Sequence, residues 1–421
     1  MPFEPNETDR PPASRPQLHR RDVLRGGAFV AAGLGMAPLL AACSNSSDTS
    51  TQAADSYPLA RPDNPVELPI FDDNQPIADG LDVEKTGALR VLNYADYIAP
   101  GVKADFGAKY GVEVQVTPYN NYDEMLTKLS APGAAFDIVF PGPTVMSRMV
   151  YGKLLQPVNH SYIPNYKNVW PEYQDPWYDQ GSRYQVPYTV YTTGIGYRAD
   201  VISDPSDGYK MLWNSDYSGK VGIIDDSGEA LAMAMLAWDI TDDINTTSQE
   251  HVTAAKEKLD ELTPLGVKVG VTEYRTIAEN KVTVNQAWSG DLLAARWYLP
   301  PNETTEVLGY WVPDDKSQRV IGNDNIAIPK SSPSPVLAHT FLNYMIDNAV
   351  AEKNFNWNGY QPPLTKLSAA YLIKQGYISD NLMSAVVLRD DFVEGKQFYE
   401  QTPQVQNMWL AAFQEFQSGG N

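Results

Sequence analysis

Three carboxylates stand close together in the run IIDDSGEALAMAML, residues 223–236: Asp225, Asp226 and Glu229. They follow an apolar, strand-like segment and precede an alanine- and methionine-rich stretch that is typical of a helix. Asp226 and Glu229 have the spacing of a capping box, in which two side chains satisfy the free N–H groups of a helix start. Carboxylates can also bind a cation. The local sequence therefore leaves two interpretations open, a helix cap and a cation site.

A second group of residues is aromatic and lies at the ends of strand-like segments. Tyr94 and Tyr97 follow an apolar run, Trp288 precedes Ser-Gly-Asp, and Tyr360 lies in NGYQPP. Each alone is most simply a packing residue, because the chain has 25 tyrosines and 9 tryptophans. An ammonium group taken out of water needs an opposite charge, and aromatic faces add a cation–π attraction of roughly 0.5 to 2 kcal/mol. Carboxylates and aromatic residues together favour a site for an amine.

Patterns that would indicate catalysis or a metal site are missing from the sequence. The four histidines lack the i, i+4 spacing of a helical zinc pair: His19, His160, His251 and His339. Neither a G-x-S-x-G nor a Walker motif occurs, and Gly194-Ile195-Gly196 lacks the third glycine of a dinucleotide fingerprint. We expect no metal, no cofactor and no enzymatic activity. A hydrolase that uses paired carboxylates remains the alternative, because Asp and Glu are abundant.

Length and charge narrow the class of protein further. The chain has 421 residues, of which 43% are hydrophobic, enough for two folded domains plus extensions. Its formal net charge is −20. Non-specific binding to nucleic acid depends on basic groups that neutralise phosphates, so we expect no nucleic-acid partner.

The elements that must position these residues alternate between strand and helix. Apolar runs at 88–98, 136–142, 194–200 and 220–225 predict strands, and 248–262 predicts a helix. Tyr122, Met125, Leu126 and Leu129 recur at helical spacing, and Pro335 opens a final helical region. This alternation predicts an α/β protein with mixed sheets flanked by helices, in two lobes with a ligand cleft between them.

The N-terminus predicts export. Arg20 and Arg21 lie in a segment similar to a twin-arginine signal, and a 17-residue apolar stretch, too short to span a membrane comfortably, follows. It ends in Leu-Ala-Ala-Cys, which resembles a lipobox and predicts lipidation of Cys43, the only cysteine. We expect 1–42 to be a twin-arginine lipoprotein signal peptide and 43–87 a tether and extended arm. The mature protein would then be extracytoplasmic, anchored to the outer face of the cell membrane.

A series of motifs resembles one protein family in its order along the chain. The motifs are LNYADYI, YNNYDEMLTKL, FDIVFPGPTVMSRM, YQVPYTVYTTGIGYR, LWNSDYSGKVGIIDDSGEAL, NQAWSGD, NDNIAIP and NGYQPP. The family is that of the spermidine/putrescine-binding proteins of bacterial ABC importers, a branch of the two-lobed extracellular solute-binding proteins. The resemblance covers about Leu89 to Gly419 and implies the type II periplasmic-binding-protein-like fold. It places 88–193 and 313–360 in lobe 1, and 194–312 and 361–421 in lobe 2.

The resemblance also implies a function and a set of ligand contacts. The protein would bind a polyamine as a monomer and deliver it to an ABC permease. The family's acidic contacts fall on Asp226, Glu229 and Asp324, which favours the cation-site interpretation over the cap and leaves Asp225 structural. The aromatic contacts fall on the four residues already singled out, Tyr94, Tyr97, Trp288 and Tyr360. A further contact is implied at Tyr399 or Glu400.

Three positions depart from the family's pattern. Thr144 replaces a tyrosine, Gly322 replaces a tryptophan, and Ala95 stands where a hydroxyl is common. The loss of two aromatic walls predicts a wider site, a shifted preference among polyamines, or another cation. A quaternary amine, an amino-sugar conjugate or a cationic peptide would then be the alternative ligand.

Overall fold

The computed structural model describes residues 57–419. Arg20, Arg21 and Cys43, on which the predictions of export and lipidation rest, lie outside the described residues. The strands are β1 (Ala88–Asn93), β2 (Glu113–Pro118), β3 (Ile138–Val139), β4 (Leu155–Gln156), β5 (Gln185–Arg198), β6 (Val221–Ile224), β7 (Lys268–Gly270), β8 (Val284–Trp288), β9 (Leu308–Trp311), β10 (Val320–Pro329) and β11 (Lys396–Gln397).

Helices alternate with these strands along the chain. The α-helices are α1 (Pro100–Tyr110), α2 (Tyr122–Leu129), α3 (Met146–Tyr151), α4 (Pro171–Gln174), α5 (Ser227–Ala237), α6 (Gln249–Asp260), α7 (Glu273–Ala278), α8 (Ser289–Ala294), α9 (Pro335–Met345), α10 (Asn348–Asn358), α11 (Ala369–Lys374), α12 (Arg389–Glu394) and α13 (Pro403–Gln417).

The strands form one mixed sheet whose two halves meet on β5 and β10. Its order is β2-β1-β3-β10-β5-β8-β6-β7, with β4 and β11 beside β10 and β9 beside β5. β1 runs parallel to β2 and β3, and β6 runs parallel to β7 and β8. β5 and β10 are antiparallel to each other and connect these two parallel groups. The predicted mixed α/β fold is confirmed.

The ladder between β5 and β10 is irregular where the two halves meet. Its register shifts between Asp324 and Asn325, which pair with Thr189 and Pro187. Proline has no N–H to donate to a sheet ladder, and an extra residue bends a strand and increases its twist. The irregularity therefore turns both strands at the junction of the two halves, and it lies at one of the predicted ligand contacts.

Helices and buried side chains pack against both halves of the sheet. In one half, Leu89 of β1, Phe106 of α1 and Phe341 of α9 are fully buried, and the two phenylalanine rings pack at 5.0 Å. In the other half, Leu231 of α5 and Phe413 of α13 pack over the β6 side. The first of these clusters also includes Ile277 of α7 and Leu292 of α8, so it continues across the junction of the two halves. The exact division of residues between the lobes stays a prediction.

Some of the helices and strands predicted from the sequence are confirmed and others are not. The predicted helices over 122–129 and 248–262 are confirmed as α2 and α6. The predicted strand at 194–200 is only the second half of β5, which begins at Gln185. Pro187 and the threonines at 189, 192 and 193 interrupt the apolar pattern of the earlier part of this strand. Proline cannot donate to a sheet ladder, so the sequence pattern gives no strand there. Four helices follow the region that opens at Pro335, so that region is not the final one.

The segment before β1 is extended and lies on the body. Leu68 is fully buried, the Tyr57 hydroxyl donates to Glu400, and the Arg61 guanidinium lies over the Tyr399 ring. Within 57–419, none of the helices combines the length and apolar character needed to cross a membrane.

Candidate functional site

Two adjoining cavities lie where the halves of the sheet meet. The larger has a volume of about 380 Å³, within the range of small-molecule sites, and the smaller about 60 Å³. Tyr94, Tyr191 and Trp288 line both. The seven acidic and aromatic contacts predicted from the sequence, and Thr144 at the position of the family's tyrosine, all line one or both cavities. The seven are Tyr94, Tyr97, Asp226, Glu229, Trp288, Asp324 and Tyr360.

Asp324 lies at the irregular point of β10 and is held by two tyrosines. The Tyr97 hydroxyl donates to its Oδ2 at 2.7 Å, and the Tyr122 hydroxyl, from the first residue of α2, donates to its Oδ1 at 2.8 Å. Burial raises the pKa of the Asp324 carboxyl to about 6, and the two phenol donors oppose that rise. Both carboxylate oxygens are therefore oriented before any ligand arrives.

Asp226 and Glu229 combine the two roles that the sequence left open. Asp226 is the N-cap of α5, and its Oδ1 accepts the Glu229 N–H at 3.0 Å. The Glu229 carboxylate accepts instead from Trp288 Nε1 at 2.9 Å and Thr193 Oγ1 at 3.0 Å, both at its Oε1. Burial and the neighbouring Asp226 raise the pKa of Glu229 to about 8. Asp226 caps the helix and also lines the larger cavity, whereas the Glu229 carboxylate takes no part in the cap.

The remaining acids near this helix differ in their contacts. Asp225 accepts from the Gln417 side chain at 2.7 Å at the edge of the larger cavity. Glu400 is buried away from both cavities, where it accepts from the backbone N–H groups of Ser147 and Arg148. Tyr399 lines the larger cavity. Of the two further contacts implied by the resemblance, only Tyr399 is placed where a ligand could reach it.

The aromatic residues form a continuous wall through both cavities. Ring centroids lie 6.4 Å apart for Tyr94 and Trp288, and 6.1 Å apart for Trp288 and Tyr191. The wall continues from Tyr191 to Tyr360 at 5.7 Å and from Tyr360 to Tyr97 at 4.9 Å. These faces can cover the methylene groups of an extended ligand while the carboxylates bind its charges.

The two aromatic residues missing from the family pattern are compensated by tyrosines from elsewhere. Gly322 pairs with Tyr191 in the ladder, and a β-carbon at 322 would collide with the Tyr191 ring. Tyr122 packs in the same way against Gly142, and it lines the larger cavity together with Thr144. The predicted effect of Gly322 on the width and preference of the site stays a prediction. A neighbouring strand supplies the ring, and the glycine leaves the space for it.

Sequence reasoning missed a second buried acid near Trp288. Asp291, on α8, lines the smaller cavity, and the Tyr360 hydroxyl donates to its Oδ1 at 2.8 Å. Burial raises the pKa of Asp291 to about 6. Its signal was present, since Asp291 follows Trp288 by three residues at the start of a helix. Tyr122 and Tyr191 carried no local signal, because their roles depend on contacts across the fold.

The side chains that line the cavities suit the binding of a cation. They are carboxylates, phenols and indoles. Within 57–419 there is no group of His, Cys, Asp and Glu that could hold a metal ion. A cleft between two sheet halves joined by long strands, with acids and aromatic residues in its walls, has the architecture of a two-lobed binding protein and suits a small positively charged solute. The chain belongs to the bacterial extracellular solute-binding proteins, whose family model matches residues 102–382.

Relatives and solved structures agree with this assignment. The chain is 26% identical over 322 residues to spermidine/putrescine-binding periplasmic protein 1 of Haemophilus influenzae, covering 74% of this chain and 86% of that protein. It is 25% identical over 272 residues to the Escherichia coli putrescine-binding periplasmic protein PotF, covering 61% of this chain and 73% of that one.

Among solved structures, one from Listeria monocytogenes assigned to a spermidine/putrescine ABC transporter superposes with a TM-score of 0.69. It is 26% identical and covers 79% of this chain and 99% of that chain. The predicted two-lobed binding-protein fold is confirmed, and the family is one of transport proteins rather than enzymes.

Proposed function

We propose that this chain is the lipid-anchored, extracytoplasmic solute-binding component of an ABC importer, and that it binds a polyamine of the putrescine/spermidine type. The observation that carries the proposal is a set of carboxylates, buried or half-buried, on both halves of the sheet around one aromatic wall. Asp324 lies on one half, and Asp226 and Glu229 lie on the other. A linear di- or triamine has separated charges joined by methylenes, and it matches this alternation of acid and ring.

The electrostatics of the empty cleft support a cationic ligand. Burial raises the pKa values of Asp324, Asp226 and Glu229, because a charged carboxylate is costly in a desolvated site without a counter-charge. Amines with pKa values near that of lysine, about 10.4, stay charged at neutral pH. An ammonium group placed among these carboxylates supplies the missing counter-charge and removes the cost of their ionisation. A neutral ligand would leave that cost in place, and an anionic ligand would increase it.

The position of the acids also supports ligand-driven closure. Asp324 lies on a strand that runs between the halves, and Glu229 lies on a helix of one half. A ligand that contacts both halves binds the closed arrangement more tightly than the open one and so shifts the population toward it. β5 and β10, with their irregular ladder at Asp324, are the segments about which we expect the halves to move. The closed, loaded form would be the one that docks on the permease, with the binding protein a monomer.

The tether is proposed from the sequence and from the family. Arg20 and Arg21 suit export by the twin-arginine route, and Cys43 suits lipidation at the outer face of the membrane. The names of the curated relatives place them in the periplasm. Replacing Cys43 by Ser should release the exported protein from the membrane fraction into the soluble fraction. Retention of the Cys43→Ser protein in membranes would contradict lipid anchoring at this residue.

Calorimetric titration tests the ligand class. A chain that begins after Cys43 would be titrated with putrescine, spermidine and spermine, and with 1,4-butanediol, which keeps the length of putrescine but carries no charge. We expect one-to-one saturation with at least one polyamine and no heat with the diol. Absence of heat with all three polyamines contradicts the polyamine assignment. Heat with both shows that the carboxylates do not select charge.

A further inference from the structure

A buried pair of carboxyl groups lies at the end of the smaller cavity that is formed by β8, α7 and α8. Glu273 opens α7 and is 3% exposed, and Asp291 on α8 is 5% exposed. Helices α7 and α8 pack against each other, and each of the two carboxyl groups has a buried oxygen without a hydrogen-bond partner. Two neighbouring carboxylates that are both ionised repel each other, and neither can donate a hydrogen bond, so a proton on the pair is the arrangement that supplies a donor.

The hydrogen-bond partners of the pair point to one shared proton. The Tyr360 hydroxyl donates to Asp291 Oδ1, whereas Asp291 Oδ2 and Glu273 Oε2 have no hydrogen-bond donor in the structure. A proton held by the pair supplies the missing donor. Burial and the charge of Asp291 raise the pKa of Glu273 well above its usual range, and burial raises that of Asp291 less. The proton therefore belongs to Glu273, and Asp291 accepts it.

The other charged and titratable groups around the pair do not replace this proton. The tyrosines that face it stay neutral, and the two further acids, Asp96 and Asp225, carry the same sign. The cation close by, Arg275, donates to Asp96 at 2.7 Å and lies over the Tyr298 ring. The tyrosines are Tyr274, Tyr298, Tyr310 and Tyr360.

We propose that Glu273 is a positioning residue that couples ligand binding to proton release: an ammonium group of the ligand binds Asp291, and the proton shared with Glu273 leaves to solvent. This inference rests on the proposed function, because it needs an amine in the smaller cavity. Asp291 lines that cavity together with Trp288 and Tyr360, whereas Glu273 lies behind it. Glu273 therefore acts through Asp291 and not by touching the ligand.

The sign of the effect follows from linkage. Between the lower pKa of the pair with ligand bound and its higher pKa in the empty protein, each binding event releases up to one proton. The affinity for the amine therefore rises with pH across that interval. The pair would weaken binding in acid surroundings and strengthen it in neutral or alkaline ones.

Calorimetry in two buffers of different ionisation enthalpy measures the protons released per amine bound. Putrescine would be titrated at pH 6.5 into the wild-type chain, into Glu273→Gln, and into Glu279→Gln. The last replaces an exposed acid at the other end of α7 and serves as the control. Glu229 also holds a proton at this pH and adds to the number of protons released on binding. The readout is therefore the difference in the number of released protons between the variants.

We expect Glu273→Gln to release about one proton fewer than the wild type and the control, and to lose a corresponding part of the pH dependence of binding. Binding with equal proton counts in all three overturns the role of Glu273 and leaves the proposed function standing. Absence of polyamine binding by the wild type overturns the proposed function itself.

Infrared difference spectra of the wild type serve if Glu273→Gln does not fold. The spectra should show a loss of protonated-carboxyl absorption on adding putrescine in the wild type and, because Glu229 also gives up a proton, in Glu229→Gln as well. Unchanged absorption in Glu229→Gln contradicts the shared proton.

Discussion

The carboxylates on the two sides of the cleft differ in how their oxygens are hydrogen-bonded. Asp324 is held at both oxygens by phenols, Tyr97 and Tyr122, at an irregular point of a strand. Glu229 receives both of its donors, Trp288 and Thr193, at one oxygen, and it stands one turn into a helix beside Asp226. Burial raises the pKa of Asp324 to about 6 and that of Glu229 to about 8. At neutral pH, Asp324 is charged before the ligand arrives, whereas Glu229 is largely protonated.

This difference implies a division of roles. Asp324 is already charged and oriented, so it attracts an ammonium group without having to ionise first. Glu229 must lose its proton when the amine binds. One pKa unit corresponds to about 1.4 kcal/mol, so the ionisation of Glu229 at pH 7 offsets part of what its contact with the amine contributes. The predictions below test this asymmetry, from the largest expected effect to the smallest.

The largest effect is expected at Asp324. Asp324→Asn removes a charged partner that is already ionised and leaves two phenols with a poorer acceptor. We expect polyamine affinity to fall by about 1.5 to 3 kcal/mol, the range for a hydrogen bond to a charged group, with little loss of stability. Calorimetry and thermal melting measure both. Asp390→Asn, an exposed acid outside both cavities, is the control. Unfolding of Asp324→Asn at unchanged affinity would make Asp324 structural.

The second effect is the pH dependence of binding. Glu229 has a pKa of about 8 in the empty protein, and a bound ammonium lowers it. Binding therefore expels a proton below pH 8, and affinity should fall by about tenfold from pH 8 to pH 6, within the limit of one decade per pH unit and proton. Titrations across this range in Glu229→Gln should show a shallower slope. Equal slopes would place the titrating group elsewhere.

The stability of the empty protein should change in the opposite sense. The folded state binds the Glu229 proton up to about pH 8, whereas the unfolded chain loses it near pH 4.3. Folding thus takes up a proton between these values, and stability falls as pH rises through the interval. The melting temperature of the empty wild type should decrease from pH 5 to pH 8 more steeply than that of Glu229→Gln. A parallel decline in the two proteins would contradict the raised pKa.

A smaller effect is expected from Glu229→Gln at neutral pH. The oxygen of the amide still accepts the hydrogen bonds from Trp288 and Thr193. The substitution removes little negative charge, because Glu229 is largely protonated at neutral pH in the empty protein. We expect a loss of about 1 kcal/mol in affinity and almost no change in melting of the empty protein. A loss in melting near the cost of a removed helix cap, about 1 kcal/mol, would instead assign Glu229 to the cap.

The smallest effect is expected at Tyr122. Tyr122→Phe removes one donor from Asp324 Oδ1 but keeps the ring against Gly142. We expect a loss of about 0.5 kcal/mol in affinity, the low end of the range for one hydrogen bond. Tyr371→Phe is a matched control, since the Tyr371 hydroxyl also donates to a carboxylate, Glu352. An equal effect of the two substitutions would show that Tyr122 does not act through the site.

Much of the fold was predictable because its signals are local. The helical spacing from Tyr122 to Leu129 and the acid-led start of α5 give the correct elements, and the strand-ending aromatic residues point to the cleft. The full length of β5 was not predictable, because proline and threonine in its first half mask the apolar pattern and only the pairing with β10 makes it a strand.

The parts of the site that escaped prediction depend on contacts between distant segments. Tyr191 reaches the space above Gly322 only through the register of β5 and β10, and Tyr122 meets Asp324 across 202 positions of sequence. The Glu273–Asp291 contact likewise joins two helices. Sequence motifs show which residue types are present, but which of them share a carboxylate is set by the fold.

The most direct test of the central claim is a crystal structure of the protein with spermidine bound. The two-sided cleft predicts one amino nitrogen within hydrogen-bond distance of Asp324, another within that distance of Glu229 or Asp226, and methylenes against Trp288 and Tyr94. Spermidine bound outside the cavities, or with its nitrogens contacting acids of only one half of the sheet, would contradict the account.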